Sequence, residues 1–589
     1  MRNKNRILGL LALCAMAAVS CMKETEPSLS ENASEVEALT RAASGSSIIL
    51  PAVNTNTNVR IRQVCYTGTA RKNSPHAQLR TATMIGVYTS NGQTLNKFLA
   101  TFDAVSNLQP YPGHGSKNYM YQAFYPSSQA SKDGTDVKFV LPATQTPGNG
   151  SVDPKADLLL SNQQFSASQR TDPHTVNGFY FSRLTATGVL NLKGLFGVGV
   201  SRVEINSTYR PLAGTIRVDK DDNRTFTETS GTIVLNTAGL QKDADDALTV
   251  KFSCLPADRD DYITVKVTTS DNKLYTKNFK HQWFKAGEAL TLDFHIMDSL
   301  LPGSSTEKIA SGVEWTTFHG TWQGEIRNVN IIRTRIDAHN RLGVYFSYRD
   351  ASYPDGYPAC GDGEDPRDLD KKCIYLDALA GTNGSMACCQ NVRVNGSNRN
   401  RRDDQDPWVS CGALTIDGTD IDIVQVANNS GALTLTSPTF ACGGPLLVWN
   451  GRHYSYTLAW REWHAAAQAA GDDFLSATNP RTAIGISEDG KTVIQVAVDG
   501  RWNRSASAER AIGMSADLLG KLMLQLGCYK AMNLDGGGGT AMWVYGKGNA
   551  RNIVNRVSEN RMDDAGNWVW NWNGTRLREA GTAIYVYQE

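Results

Sequence analysis

The sequence has almost no net charge and, past its first twenty residues, no apolar run long enough to cross a bilayer. Lys and Arg number 59 against 58 Asp and Glu, which leaves +1. Such a balance gives no electrostatic reason to bind nucleic acid or an acidic surface, and no nucleic-acid partner is expected. The 11 cysteines include no CxxC pair and have no spaced histidine partners, which argues against zinc. No Gly-Lys-Ser/Thr follows the glycine run at 536–539, so a nucleotide-type phosphate loop is excluded. What remains, 41% hydrophobic and 20% charged residues, describes a folded chain. At 589 residues it exceeds one ordinary core and calls for about two to four domains.

Arg2, Lys4 and Arg6 precede an apolar stretch from Ile7 to Val19, the length of a secretory signal. The stretch ends in Ala18-Val19-Ser20-Cys21, which resembles the lipobox of bacterial lipoproteins. That resemblance implies loss of residues 1–20, lipidation of Cys21 and an exported protein anchored in the outer membrane, facing the cell surface or the periplasm. Residues 21–45 are polar and read as a flexible tether. Without Cys14 and Cys21, nine cysteines remain in an oxidising setting, so at least one is unpaired or pairs between chains. Cys360 and Cys373 flank a polar loop and are the expected disulfide.

Residues 46–298 alternate short β-type runs with turn clusters, as at Val137–Leu141 and Tyr262–Val267, and predict one or two β-sandwiches. Met120-Tyr-Gln-Ala-Phe-Tyr-Pro, Asp157-Leu-Leu-Leu-Ser and Tyr180-Phe-Ser-Arg-Leu-Thr-Ala resemble landmarks of fimbrillin-like lipoproteins, which are β-sandwich surface modules. His76, His114 and His174 stand alone among loop residues and read as solvent-facing.

After a linker at 299–308 the character changes, and residues 309–589 predict a mixed α+β domain. Its clearest helix begins at the N-cap Ser515, buries a face of Leu518, Leu519, Leu522, Met523 and Leu526, and stops at Gly527. The fold class expected is thus an all-β sandwich region followed by a mixed α+β catalytic domain.

Asn533-Leu534-Asp535-Gly536-Gly537-Gly538-Gly539-Thr540 is the sharpest local feature. Four glycines after a strand allow backbone geometry closed to other residues, and successive N–H groups there can hold an anion. By itself such a stretch is more often a tight turn than a site. Asp499-Gly500 also reads as a turn, and Arg481 and Arg501 as surface charges. Taken together, Asn479-Pro-Arg481-Thr482-Ala-Ile-Gly, Ala497-Val-Asp499-Gly-Arg501 and Asn533-Leu-Asp535-Gly-Gly-Gly resemble the signature of the phosphodiester glycosidase family. Gly381-Thr-Asn383-Gly-Ser385-Met386, Cys442-Gly-Gly-Pro-Leu-Leu-Val and Asn555-Arg556 extend the match in the family's order. Two departures stand out. Gly539 replaces the family's usual Ser, and Ser385-Met386 replaces a glycine and an aromatic residue.

The resemblance implies a hydrolase that cleaves the glycosidic bond of sugar-1-phosphodiesters on glycans, N-acetylglucosamine-1-phosphodiesters being the type case. A phosphate monoester is a weak base, with a second pKa of about 6, so it leaves with little protonation. Such a site needs positive charge around the phosphate and a carboxylate near C1. Arg481 and Arg501 suit the first task, and Asp499 and Asp535 the second, with nucleophile and base unassigned. Asn383, Thr482, Asn533, Gly536, Gly537, Gly538, Gly539 and Thr540 complete the expected binding set. No cofactor is required, although a divalent cation near the carboxylates is left open. His319 and His453 are auxiliary candidates. Trp460, Trp463, Trp543, Trp568, Trp570 and Trp572 offer sugar platforms or core. Two rivals stand beside this reading: a glycan-holding adhesin or pilus-associated surface protein, and a phosphodiesterase that cuts the P–O bond.

Overall fold

The computed structural model describes residues 55–589 except 68–73, 87–96, 103–118, 134–135, 167–173, 220–221, 244–245, 347–367, 387–389, 402–410, 455–475, 503–509, 559, 563–567, 571–576 and 578–579. The leader, Cys21 and the tether lie outside the described residues, as do Cys360, Cys388, Cys389 and His114. The side chains of His76 and His174 also lie outside them.

From Thr55 to His295 the regular elements of the described residues are strands, apart from one 3-10 turn at Ser127–Gln129. Asp136–Leu141 and Asp261–Thr269 occupy two of the runs read as strands, and their burial alternates as a half-covered strand requires. A five-stranded sheet carries Val203, Ile205, Ile233, Leu235, Val265 and Val267. These pack against Leu190, Leu192, Val250, Phe252, Leu292 and Phe294 of a three-stranded sheet, closing one core between two faces.

The segment expected as a linker holds the end of a helical turn, Met297–Leu300, and the start of strand Ser305–Ala310. Met297 and Leu301 are buried in the core that follows. That core lies chiefly between two sheets. One has eight strands, in the order Ser305–Ala310, Val313–Trp322, Glu325–Arg335, Thr492–Val498, Arg481–Ile486, Lys530–Asn533, Leu446–Trp449 and Arg452–His453. The other has four, in the order Asn340–Phe346, Thr582–Gln588, Ala380–Asn383 and Met542–Val544. Gln495 ties them through the dry interior, donating to Thr382 Oγ1 at 2.8 Å and to the Ile584 carbonyl at 3.0 Å. A five-stranded sheet that includes Thr439–Gly443 flanks the pair.

This corrects the expected fold class. Among the described residues no mixed α+β domain forms after residue 309, and those residues are mostly β-sheet. Among the described residues there, α-helix is confined to Leu369–Tyr375, Asn429–Leu433 and Ala516–Gln525, with a single 3-10 turn at Gly537–Gly539. The third is the helix read from the sequence, with Ser515 Oγ accepting from Leu518 N–H at 3.2 Å and Gly527 at φ +94°. The strands that flank it in sequence, Thr492–Val498 and Lys530–Asn533, both pair antiparallel to Arg481–Ile486, which lies between them. Every residue of Thr492–Val498 is buried, because both faces of its sheet are covered. A run that is apolar on both faces shows no alternation from which to read its partners.

Cys360, the expected partner of Cys373, lies outside the described residues. Cys373 is a buried free thiol, packed where a methyl group on Gly381 would come within 3.1 Å of its sulfur.

Candidate active site

Three neighbouring strand ends bring the charged groups together. Arg481 pairs with Val498 across one strand pair, and Ala483 with Asn533 across the next. Asp499 directly follows Val498, and Asp535 lies two residues beyond Asn533. Antiparallel pairing therefore places Arg481, Asp499 and Asp535 at one end of the eight-stranded sheet. The remaining motifs are tied to the same end. Asn383 Nδ2 donates to the Asp535 carbonyl at 2.6 Å, while its Oδ1 accepts from Thr482 Oγ1 at 2.8 Å and from Ala541 N–H at 3.0 Å. Asp535 N–H donates to the Gly384 carbonyl and Gly444 N–H to the Asn533 carbonyl, each at 2.9 Å. Four stretches far apart in sequence are thus joined by main-chain and amide bonds.

The two aspartates differ in surroundings. Asp499 is 1% exposed, and its carboxylate accepts from three donors. These are Asn555 Nδ2 at 2.9 Å, Arg556 N–H at 2.8 Å and Asn328 Nδ2 at 2.5 Å. Burial pushes its pKa up to about 7, and the three hydrogen bonds pull against that rise. Asn555 also accepts from Met542 N–H at 2.7 Å and donates to the Thr540 carbonyl at 3.2 Å. Through Asn555, Asp499 therefore holds the segment that follows the glycine turn. Asp535 is half-buried, and its carboxylate leans over Gly539, where a β-carbon would come to 2.8 Å of Oδ2. That contact gives the Ser-to-Gly departure a physical reason: a serine at 539 would force Asp535 to turn.

The two arginines differ in the same way. Arg481 is fully buried, and it donates from Nε to the Met514 carbonyl at 3.0 Å and from Nη2 to the Ala477 carbonyl at 2.9 Å. It braces the loops under the site. Arg501 is half-buried, holds φ at +67°, and lies where a β-carbon on Gly537 would approach its Nη2 to 3.1 Å. A non-glycine residue in the left-handed region is uncommon, and its cost is often met at functional sites. Gly537 is also left-handed, at φ +61°. Asp535 and Arg501 thus border opposite ends of one turn and are its more accessible charged groups.

The turn is less open as an anion nest than its sequence implies. Gly537 N–H is bound to the Pro480 carbonyl at 2.9 Å, and those of Gly539 and Thr540 to the Gly536 and Gly537 carbonyls at 3.2 Å. Gly536 and Gly538 are buried within the same turn. Thr540 Oγ1 and Asn533 Oδ1 are buried with no hydrogen-bond partner among the described residues, so both keep polar capacity for a ligand or water. Sequence reasoning missed Asn328, which no local pattern marks; pairing of its neighbour Val329 with Val498 brings it to Asp499. His319 sits across from Asn328, whereas His453 braces the helix through the Asp517 carbonyl at 2.9 Å. Trp543 is core at 1% exposed. Trp460, Trp463 and Trp572, and the side chains of Trp568 and Trp570, lie outside the described residues. Among the described residues no three His, Cys, Asp or Glu stand together as a metal site needs.

A polar glycine turn at the strand ends of a two-sheet β unit, bordered by one accessible carboxylate and one accessible guanidinium, defines a candidate hydrolytic centre. Residues 380–587 match the family model for phosphodiester glycosidase, so the C-terminal part of the chain carries that family's region, as its motifs indicated. Three solved structures are similar to the chain. The zebrafish N-acetylglucosamine-1-phosphodiester alpha-N-acetylglucosaminidase catalytic domain, auto-inhibited by its pro-peptide, is 15% identical, with 49% of this chain and 88% of that one covered and a TM-score of 0.33. A hypothetical protein from Synechocystis is 12% identical over 90% and 99%, with a TM-score of 0.32. A putative cell adhesion protein from Bacteroides ovatus is 14% identical over 41% and 82%, with a TM-score of 0.25. Likenesses of this size carry no argument about fold or function. No curated protein matches the chain.

Proposed function

We propose that this protein is a hydrolase that cleaves the glycosidic bond of sugar-1-phosphodiesters on glycans, releasing a sugar and a phosphomonoester. The family match over residues 380–587 supports the class of reaction. The observation that carries the proposal is the placement of Asp535 and Arg501 at either end of the glycine turn. Arg501 presents forked donors to the phosphate, and Asp535 presents a carboxylate to C1 or to the attacking water. Asp499 and Arg481 act through other groups, holding the turn and its loops. The substrate type that fits is an N-acetylglucosamine-1-phosphodiester, to which Thr540 Oγ1 and Asn533 Oδ1 offer unused hydrogen-bonding capacity. The leader and Cys21 would carry the enzyme to the outer membrane as a lipoprotein. There the β-structured N-terminal region, fimbrillin-like in its motifs, would hold the catalytic region away from the lipid.

Incubation with a nitrophenyl phosphodiester of N-acetylglucosamine-1-phosphate tests this. Free N-acetylglucosamine with nitrophenyl phosphate is the expected product pair. Sugar-1-phosphate with nitrophenol would favour the phosphodiesterase, and an unchanged substrate the adhesin.

A further inference from the structure

One end of the N-terminal β region carries aromatic side chains that its own core does not use. Tyr209 is 71% exposed, Trp283 43% and Tyr262 41%. Tyr209 stands edge-on to Tyr262 at 6.2 Å between ring centres, and Tyr262 leans on the His281 ring at 5.4 Å. Rings left in water usually mark a contact surface, provided that they are held in place.

These are held. Asp261, 3% exposed, gathers the turn that presents Tyr209. Its carboxylate accepts from Tyr209 N–H at 3.2 Å, Arg210 N–H at 2.9 Å, Tyr262 N–H at 2.6 Å and the Ser207 hydroxyl. Trp283 is pinned by its indole N–H, which donates to the Ala257 carbonyl at 3.0 Å. Ordering has been met in advance by a buried carboxylate, so binding on this surface loses little conformational entropy.

At the rim Arg210 pairs with Asp258 at 3.2 Å, and the His281 ring is hydrogen-bonded to Asp260 at 2.6 Å. Hydrogen-bonding capacity is therefore dense, and the carboxylates of Asp258 and Asp260 stand among the cations Arg210 and Lys285, the latter 4.6 Å over the Trp283 ring, a mixture of signs that suits an uncharged polyhydroxyl ligand better than an ion. A pyranose offers an apolar C–H face to an aromatic ring and a hydroxyl edge to paired carboxylate and guanidinium groups.

We propose that this surface is a glycan-binding platform for neutral sugar chains. Tyr209 and Tyr262 take the sugar faces, and the Asp258 and Asp260 pairs take the hydroxyls. It is separate from the hydrolytic centre and does not depend on that centre's reaction. It would hold the enzyme on the polymer that bears the phosphodiester.

Affinity electrophoresis of the full-length protein in gels containing soluble mannan, galactan or N-acetylglucosamine oligomers tests the proposal. Retardation by at least one of these is expected, with a Tyr209→Ala/Tyr262→Ala double variant weakened about tenfold or more. The double variant should keep its thermal transition and its turnover of the nitrophenyl substrate, because neither ring touches the C-terminal site. No retardation by any glycan, or unchanged retardation of the variant, overturns the platform. A change in sedimentation from dimer to monomer in the variant also overturns it, in favour of a second copy as the occupant. Loss of the hydrolase reading would leave these outcomes unchanged, so the two proposals fail separately.

Discussion

Replacement of Asp535 by Asn is expected to lower turnover by about 10²–10⁴-fold with the folding transition in place. The bonds that seat this residue come from its main chain, N–H to the Gly384 carbonyl and carbonyl from Asn383 Nδ2, and both survive the change. Asn is close to Asp in shape, so the Gly539 contact survives as well. What is lost is the negative charge at the accessible edge of the turn. Turnover by Asp535→Asn within about twofold of wild type, measured with the nitrophenyl substrate, would remove Asp535 from the chemistry.

Asp499 should act on stability instead, with a sign set by its raised pKa. Below about pH 4 the carboxyl is protonated in both folded and unfolded chains, and burial costs nothing extra. Between that point and its folded pKa of about 7, the unfolded chain gives up the proton while the folded one keeps it. Stability therefore falls as pH rises through this window, by up to about 4 kcal/mol in all, and levels off above it. Asp499→Asn removes this dependence but turns an amide N–H toward the donors Asn328 and Arg556, at a cost of about 1–3 kcal/mol. Urea unfolding at pH 4.5 and 7.5 checks the balance. The wild type should lead the variant at the lower pH and lose much of that lead at the higher one. A lead that holds constant between the two would place the Asp499 pKa in the ordinary carboxylate range.

The site was legible in the sequence to the extent that its residues are contiguous. Asn533 to Thr540, Arg481-Thr482 and Asp499 to Arg501 could be read because each stretch combines charge with glycine or a strand end. The division of labour within the set was not legible, because it depends on burial. Asp499 and Asp535 look alike in one dimension, yet one is sealed under three donors while the other is half open. Arg481 and Arg501 divide the same way. Asn328 was invisible, since only strand pairing brings it to Asp499. One amphipathic helix, Ala516–Gln525, stands out in a sequence whose strands leave no such mark, so the region suggests more helix than it holds among its described residues. The strands around it are apolar on both faces, so their antiparallel pairing could not be seen from alternation. The glycine run suggests an open nest, but its own carbonyls and that of Pro480 take up the N–H groups of Gly537, Gly539 and Thr540.

The most direct test of the site is to run the reaction in heavy-oxygen water and ask which product carries the label. Attack at sugar C1, with the phosphate departing through its bridging oxygen, puts the heavy atom in the anomeric hydroxyl and leaves the phosphomonoester unlabelled. Label in the phosphate instead would mean attack at phosphorus, and the roles given to Asp535 and Arg501 would be wrong.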